Sequence, residues 1–410
     1  MKKFVPKFVL QAYHYLLALF GAVIYGFPSK KMIVIGITGT NGKSTVVHLL
    51  SEVLEKTGAK VASLSSIRFK IGDKEEKNML KMTMPGRFKL QKFLSQAKKA
   101  GCKYAILEVT SEGIKQFRHK FIEFNGAVFT NLTKEHIEAH KGFENYRKAK
   151  GKLFCALEKS PEKDKFAVLN ADDVSSAYFD KFFSGKKYFY GIRNSVTEIT
   201  PQKIGLKLNN LLGEFNIYNA LAAYCAGIAL GVGKNKVLEI LEQAKGIPGR
   251  LELVIEKPFT VVVDYAHTPD ALEKVYQTLK SSKSENQTSN LICVLGSCGG
   301  GRDKWKRPEM GKIAANYCKE IILTNEDPYS ENPEQILSEI ESEISNFEFR
   351  ISKIIDRREA ISKAISEAKP GDTIIITGKG CEPWMCVADN KKIPWDDREI
   401  VKEEAGKLNI

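Results

Sequence analysis

The chain has 410 residues, 43% of them hydrophobic and 27% charged, enough for two or three domains with their own cores. That balance excludes a disordered, a collagen-like and a polytopic membrane chain. Lysine plus arginine exceeds the acids by 14, which favours anions (nucleotides, phosphorylated metabolites, nucleic acid or a lipid surface) without choosing among them. The eight cysteines form no C-x-x-C pair, so zinc-ribbon and thioredoxin spacings are absent, and scattered thiols fit a reducing cytosol.

Residues 1–51 hold six lysines and no acid, and residues 8–27 carry no formal charge. Such a run can be a signal peptide, a membrane span, an interfacial helix or a packed helix. No small-residue cleavage site is evident, and both flanks are basic. Gln11, His14, Ala18, Ala22 and Tyr25 fall at helical spacing and make a weakly polar, small-residue stripe. That stripe favours a helix facing the protein or a partner, with peripheral membrane contact as the next reading.

Residues 32–37 read as a buried strand. Thr38-Gly39-Thr40-Asn41-Gly42-Lys43-Ser44-Thr45 follows, and a helical run begins at Val46. Strand, Gly-rich loop and helix are the context of a phosphate loop. Glycine lets backbone N–H groups approach phosphate oxygens, Lys43 brings a mobile positive charge, and Ser44 can ligate Mg²⁺. The strict spacing would place glycine at 37, where the chain has Ile37, with Gly36 and Gly39 on either side. Further on, Tyr104–Val109 reads as a buried strand carrying a single acid, Glu108, near its C-terminal end, where a parallel sheet commonly holds Mg²⁺ beside such a loop. Asn216 and Asn219 present two amides on one helix face, a pattern suited to an adenine edge. Gly246-Ile247-Pro248-Gly249 punctuates the chain and marks a domain boundary at about 246. Cys293–Leu295 runs into the Gly-rich segment Gly296–Gly301, which alone could be a second nucleotide site.

The Thr-Gly-Thr-Asn-Gly-Lys-Ser form of the loop is narrower than the general one. It resembles that of the Mur ligases and folylpolyglutamate synthetases. Further segments in the same order are similar to the Mur ligase family, MurE type, over about residues 20–400: Thr83-Met84-Pro85, Thr130-Asn131-Leu132 with His136 and His140, Ala149-Lys150, Asn170-Ala171-Asp172-Asp173, Asp264-Tyr265-Ala266-His267, Gly378-Lys379-Gly380-Cys381-Glu382 and Trp395-Asp396-Asp397-Arg398-Glu399. The family usually carries a separate N-terminal domain that holds the UDP part of its substrate. About 35 residues precede the loop here, so that clamp is expected to be absent or supplied otherwise.

The resemblance implies ATP and Mg²⁺ as cofactors, with Lys43, Glu108, His136, Lys150 and His267 in the catalytic set. Mg²⁺ would be held by Ser44, Glu108, His136 and a carbamylated Lys150. It places Gly39, Thr40, Asn41, Gly42, Lys43, Ser44, Thr45, Asn219, Arg250 and Asp264 at ATP, with a pure loop-capping role for Asp264 as the minority reading. It places Thr83, Pro85, Arg302, Glu326, Asp327, Gly378 and Glu382 at the substrates, with Arg302 on the carboxylate of the incoming amino acid. Several positions depart from the pattern. Glu112 stands where the family has His, and Cys381 does the same. Tyr329 replaces the Arg of the Asp-Asn-Pro-Arg segment found in diaminopimelate-adding members, and a tyrosine cannot pair a distal carboxylate bidentately. Glu382 favours a diamino donor, either lysine or meso-diaminopimelate.

The expected fold is α/β throughout. A first segment, 1–31, is a basic and apolar helix. Residues 32–245 form a P-loop domain with a mostly parallel sheet, and 246–410 a smaller Rossmann-like domain, with ATP between the two. The expected activity is ATP-dependent amide ligation through an acyl phosphate, joining an amino acid to a UDP-MurNAc-peptide-like precursor in the cytoplasm. A folylpolyglutamate-type ligase, a non-catalytic membrane-associated scaffold and a nucleic-acid-binding ATPase are the rivals. The Asp-Tyr-Ala-His motif argues against the first and the intact Lys43, Glu108, His136 and Lys150 set against the second. The absence of a basic-aromatic stripe argues against the third.

Overall fold

A computed structural model describes residues 6–80, 82–194, 196–281, 290–344 and 350–410. The chain divides into two compact units. One comprises residues 1–134 and 140–245. The other comprises 135–139 and 246–410.

The first unit is built on an eight-stranded sheet. Its strands are β1 (Ile33–Thr38), β2 (Val61–Leu64), β3 (Arg68–Ile71), β4 (Lys74–Lys77), β5 (Tyr104–Glu108), β6 (Gly126–Phe129), β7 (Phe166–Asn170) and β8 (Lys186–Tyr190), in the order β4-β3-β2-β5-β1-β6-β7-β8. Strands β2, β5, β1, β6, β7 and β8 run parallel, and β3 and β4 add an antiparallel edge. β1, β2, β5, β6 and β7 are apolar runs because helices cover both faces of the sheet. One face packs against helices Lys43–Glu55 and Glu214–Ala229 through Val46, Leu50, Leu221 and Ala222. The other packs against helices Arg87–Lys99 and Phe143–Glu158 through Leu90, Leu94, Leu153 and Phe154. Gly36 fits this second face because a Cβ there would lie 2.8 Å from Leu153. The order reverses around β1, whose neighbours are β5 and β6, and a crevice at such a switch point is where α/β sheets bind ligands.

Helix Lys7–Ile24 packs on helix Arg87–Lys99 along a narrow seam. Ala18 and Ala22 are buried, and Gly21 approaches so closely that a Cβ would meet the Phe88 Cα at 3.3 Å. His14 and Tyr25 are half-buried. Gln11, placed on the same stripe by spacing, is exposed because the seam begins further along the helix. No described helix is long and apolar enough to cross a membrane.

The second unit has a six-stranded sheet of β9 (Glu252–Ile255), β10 (Thr260–Asp264), β11 (Leu291–Leu295), β12 (Glu320–Leu323), β13 (Arg350–Lys353) and β14 (Thr373–Thr377), in the order β13-β12-β11-β14-β10-β9. All pairs are parallel except β9 with β10. A hairpin of β15 (Trp384–Cys386) and β16 (Lys392–Pro394) follows β14. Val261, Val294, Ile322 and Ile376 fill a core closed by helices Arg357–Glu367 and Asp397–Lys407. Segment 135–139 joins this unit through Asp303, whose carboxylate accepts the N–H groups of Ile137 and Glu138 at 3.0 Å each.

Candidate functional site

β1 ends at Thr38 and helix Lys43–Glu55 starts at Lys43, so the loop between them lies at the N-terminal end of that helix. Exposed N–H groups there form a ready site for phosphate oxygens. Two glycines make the loop possible. Gly42 has φ +81°, and a Cβ on it would fall 2.1 Å from Asn219 Oδ1. A Cβ on Gly39 would fall 1.9 Å from Thr130 Oγ1. The Thr130-Asn131 pair splints the loop from β6. Asn41 N–H donates to Asn131 Oδ1 at 2.9 Å, Thr40 N–H donates to the Asn131 carbonyl at 2.8 Å, and Thr130 Oγ1 donates to the Asn41 carbonyl at 2.7 Å. Asn216 Oδ1 accepts from Asn219 Nδ2 at 3.2 Å, and Thr45 is buried in the first turn of the helix.

Four loop-adjacent groups converge. The Glu108 carboxylate at the end of β5 accepts from Ser44 Oγ at 2.6 Å and from Ser66 N–H at 3.0 Å, and lies 3.9 Å from Lys43 Nζ. Lys43 Nζ is folded back on the Thr40 carbonyl at 2.6 Å. Lys150 is fully enclosed, donates to the Gly39 carbonyl at 2.6 Å and lies over the Tyr146 ring at 4.6 Å. Burial first, then the Lys43 charge, hold the Lys150 amine well below its ordinary range, with Glu108 opposing them. A buried hydroxyl and a buried carboxylate in contact are hard oxygen donors of the kind Mg²⁺ takes, and a neutral amine beside them can react with CO₂.

Around this set, Pro85 and Met84 are buried and Thr83 is half-buried, with Arg118 donating to the Met84 carbonyl. Glu112 pairs with His140, 3.2 Å away, and that hydrogen bond is the chief cause of its lowered pKa. Asp173 accepts Leu132 N–H at 2.6 Å. Asp172 accepts three successive N–H groups, of Ile192, Arg193 and Asn194, and the Tyr218 hydroxyl. The Asn-x-Asp-Asp turn is thus a brace for neighbouring loops.

The second unit carries a buried acid cluster at the C-terminal ends of β11, β12 and β14. Cys298, Glu326 and Asp327 place one ligand atom each within 4.8 Å of one another. Lys379 Nζ donates to both Asp327 oxygens at 3.1 Å and to Glu382 at 2.5 Å, and Glu382 also accepts from Tyr265 OH at 2.9 Å. Glu326 Oε2 is buried with no hydrogen-bond partner among the described residues, and burial, then Asp327, raise its pKa. Burial, with Glu326 and Asp327, pushes the Cys298 thiol up to about 12, so it is a neutral group there. Three carboxylates against one ammonium, with an orphaned acceptor, suit an incoming ammonium group better than an anion. Gly378, at φ +106°, allows the approach, since a Cβ would meet Glu326 Oε2 at 2.8 Å.

Spacing alone could not reveal what holds this pocket open. Arg357, fully buried, pairs bidentately with Asp397 at 2.9 and 2.7 Å and donates to the carbonyls of Thr377 and Asn325. It thereby ties the ends of β12 and β14 together. Its partner Asp397 sits in the Trp-Asp-Asp-Arg-Glu segment, the one trace of this clamp in the sequence. Lys379 likewise lies inside a quoted motif, but its role emerges only from its contacts.

Asp264 caps its own loop: its two oxygens accept Leu251 N–H and Ala266 N–H, both at 2.6 Å. Arg250 stacks on Tyr265, 4.2 Å from the ring centre. His267 Nδ1 lies 2.8 Å from the Tyr265 carbonyl, and burial, then the Lys306 charge, keep its imidazole well below the usual range. Lys306 Nζ bridges the His267 carbonyl at 2.8 Å and Glu135 at 3.3 Å. Arg302 is exposed on the Gly-rich segment after β11, and Tyr329, at φ +52°, packs where a Cβ on Gly300 would meet its ring. Lys43, Ser44, Glu108 and Lys150 are therefore one cluster in the first unit, and Glu326, Asp327, Gly378 and Glu382 another in the second. His136, at φ +55°, belongs to segment 135–139 of the second unit.

Comparison with known proteins agrees with this layout. Residues 37–227 match the Mur ligase middle domain and residues 249–380 the Mur ligase glutamate ligase domain. The UDP-N-acetylmuramoyl-L-alanyl-D-glutamate--2,6-diaminopimelate ligase of Bacillus velezensis is 38% identical over 424 residues, covering 99% of this chain and 84% of that one. The ligase of the same name from Bacillus cereus is 38% identical over 414 residues, covering 96% and 82%. A solved structure bearing that name is 29% identical with a TM-score of 0.59, over 92% of this chain and 79% of that one. Mycobacterium tuberculosis folylpolyglutamate synthase, solved with ADP and AMPPCP, shares the fold at 17% identity and a TM-score of 0.68, over 89% and 92%. The chain belongs to the Mur ligase family. It is an ATP-dependent, ADP-forming carboxylate-amine ligase of the MurE type.

Proposed function

We propose that this ligase joins a diamino acid, lysine or meso-diaminopimelate, to the terminal carboxylate of UDP-MurNAc-L-Ala-D-Glu, in peptidoglycan precursor synthesis. The observation that carries the reading is the pairing of two clusters of opposite chemical use: Lys43, Ser44, Glu108 and Lys150 at a helix N-terminus, and an acid pocket with an orphaned Glu326 oxygen. The names of the relatives supply the acceptor and 2,6-diaminopimelate as one donor.

In this reading residues 32–245 are the ATP-binding domain and 246–410 the amino-acid-binding domain. Gly39, Thr40, Asn41, Gly42, Lys43, Ser44 and Thr45 wrap the phosphates, Asn219 and Arg250 hold the nucleoside end, and Asp264 with His267 shape the loop beside it. Ser44, Glu108, His136 and Lys150, the last as its carbamate, would hold Mg²⁺, which would screen the charge between ATP and the attacking carboxylate. Lys43 leaves the Thr40 carbonyl to meet the γ-phosphate and neutralises it as the carboxylate attacks in line, giving an acyl phosphate and ADP. Thr83 and Pro85 position the acceptor. Arg302 takes the α-carboxylate of the donor, and Glu326, Asp327, Gly378 and Glu382 take its far ammonium. The neutral α-amine then attacks the activated carbonyl and phosphate leaves.

Tyr329 in the Arg position cannot pair a distal carboxylate bidentately, so the donor is lysine, a meso-diaminopimelate held differently, or another amine. The reading is completed by a cytoplasmic location, with peripheral membrane contact through residues 1–31. The test is phosphate release from Mg-ATP with UDP-MurNAc-L-Ala-D-Glu and each of L-lysine, meso-diaminopimelate and ornithine, with the product identified by mass spectrometry. One amine should give both phosphate and the matching amide. An ATP-binding protein that releases phosphate with none of them contradicts the proposed acceptor.

A further inference from the structure

The first unit contains a cavity of about 250 Å³ away from the phosphate loop, between the short helix Ser111–Lys115 and helix Phe143–Glu158. Lys120, Lys152 and Lys159 line it. None of the three ammonium groups has an ion-pair or hydrogen-bond partner among the described residues. Three such cations around one cavity mark a concentrated positive potential. His119 closes the wall, 2% exposed, and its Nδ1 has no hydrogen-bond partner among the described residues. Burial first, then Lys120 and Lys152, lower its pKa to about 3. Burial raises the pKa of Cys155, also in the lining, and the same three lysines oppose that rise. Ile114 and Phe117 give the cavity an apolar floor.

The cavity is continuous with the first helix. The Tyr15 ring meets Phe117 edge-on at 6.1 Å and Phe121 at 5.2 Å. On its outer side that helix exposes Phe8 (72%), Leu16 and Phe20 (59% each) and Val23 (56%), with no charged residue between Phe8 and Phe27. A face this apolar on a surface helix marks an interaction site. Residues 1–51 carry six lysines and no acid. Aromatic and aliphatic side chains beside unpaired lysines are the composition of helices that lie in the interface of an anionic membrane.

We propose that the first helix and the Lys120-Lys152-Lys159 cavity form one docking surface for an anionic lipid bilayer, the cavity receiving the phosphate of a lipid headgroup. This rests on the peripheral-contact reading above and adds a headgroup site to it. Phe8, Leu16, Phe20 and Val23 enter the acyl boundary, Tyr15 and Phe117 join the two parts, and the lysines with His119 surround the phosphate. A second protein chain would be expected to bring acids to this face, but would leave no reason for an orphaned imidazole and three cations around a headgroup-sized hollow.

The test is flotation of the full chain with vesicles of phosphatidylcholine alone and of phosphatidylcholine with phosphatidylglycerol, at low and high salt. The wild type should float only with the anionic vesicles and be released by salt. K120A/K152A/K159A should bind them about 100-fold more weakly, at roughly the worth of one surface charge per lysine. K152E, at an exposed position, gives the same direction in a variant that keeps its fold. L16E/F20E should lose the vesicles but retain binding of soluble dihexanoyl phosphatidylglycerol, which the triple lysine variant should not bind. Unchanged vesicle binding by both lysine variants, with loss in L16E/F20E, overturns the headgroup site and leaves the helix contact standing. No wild-type binding to any vesicle overturns both. Orthophosphate binding as tightly as the lipid overturns the lipid source in favour of a soluble anion.

Discussion

The phosphate loop and the acid pocket are built by opposite means. In the first unit the chemistry is mostly backbone: two glycines, a helix start and a splint from Thr130 and Asn131 set the loop, and only Lys43, Ser44, Glu108 and Lys150 contribute side-chain function. In the second the backbone merely brings strand ends together. Side chains from residues 298, 326, 327, 379 and 382 then create a charge imbalance that no single segment contains. A loop of the first kind tolerates change around it but little within it. A pocket of the second kind can change what it accepts by one substitution, as Tyr329 in the place of an arginine suggests.

The sharpest way to break this contrast is at Lys43. K43A should reduce kcat for ADP formation by about 10³-fold, the scale of one lost stabiliser of transition-state charge, with little change in the donor KM. A variant that instead raised the donor KM would merge the two sites. R357M comes next. Removing one partner of a buried pair leaves Asp397 uncompensated, and urea unfolding should show a loss of about 3–5 kcal/mol. Because Arg357 also ties β12 to β14, the surviving enzyme should lose donor affinity while its ATP affinity holds.

G42A should have a smaller and local effect. The positive φ and the clash with Asn219 Oδ1 predict about 1–3 kcal/mol of strain, read as a raised KM for ATP. The fourth effect is confined to acid pH. Burial lowers His48 to about 4, with Arg68 adding to it, and His119 to about 3. Both are neutral in the fold and protonate near pH 6.5 when unfolded, so the unfolded chain binds more protons below that value. Their stabilisation is present above pH 6.5 and lost as pH falls toward 4 and 3, by up to about 1.4 kcal/mol per histidine per pH unit. H119F should flatten the stability profile in that window when followed by thermal unfolding.

The same contrast explains what could be read from the sequence. The strand, loop and helix around Lys43 are contiguous, so residue types at fixed spacing fix their chemistry. Glu108 was legible because an acid ending an apolar strand is out of place unless it is used. Lys150 needed the resemblance, since a lysine in a basic stretch looks solvated, yet it is among the most buried side chains. Arg357 and its clamp on Asp397 were invisible because the two lie 40 residues apart with no periodic relation. Asp264 shows the limit from the other side: its motif suggests a nucleotide contact, and only the structure shows that its oxygens accept Leu251 and Ala266 N–H. The placement of segment 135–139 in the second unit likewise depends on Asp303, far along the chain.

The central claim is that ATP cleavage at the Lys43 loop is coupled to amide formation with a diamine held by the acid pocket. The most direct measurement is the ratio of ADP to amide product for the wild type and K43A, with UDP-MurNAc-L-Ala-D-Glu and whichever of L-lysine and meso-diaminopimelate supports turnover. The account predicts one ADP per amide for the wild type and parallel loss of both in K43A. Amide formation that survives K43A, or ADP release that proceeds at full rate without the acceptor, would contradict it.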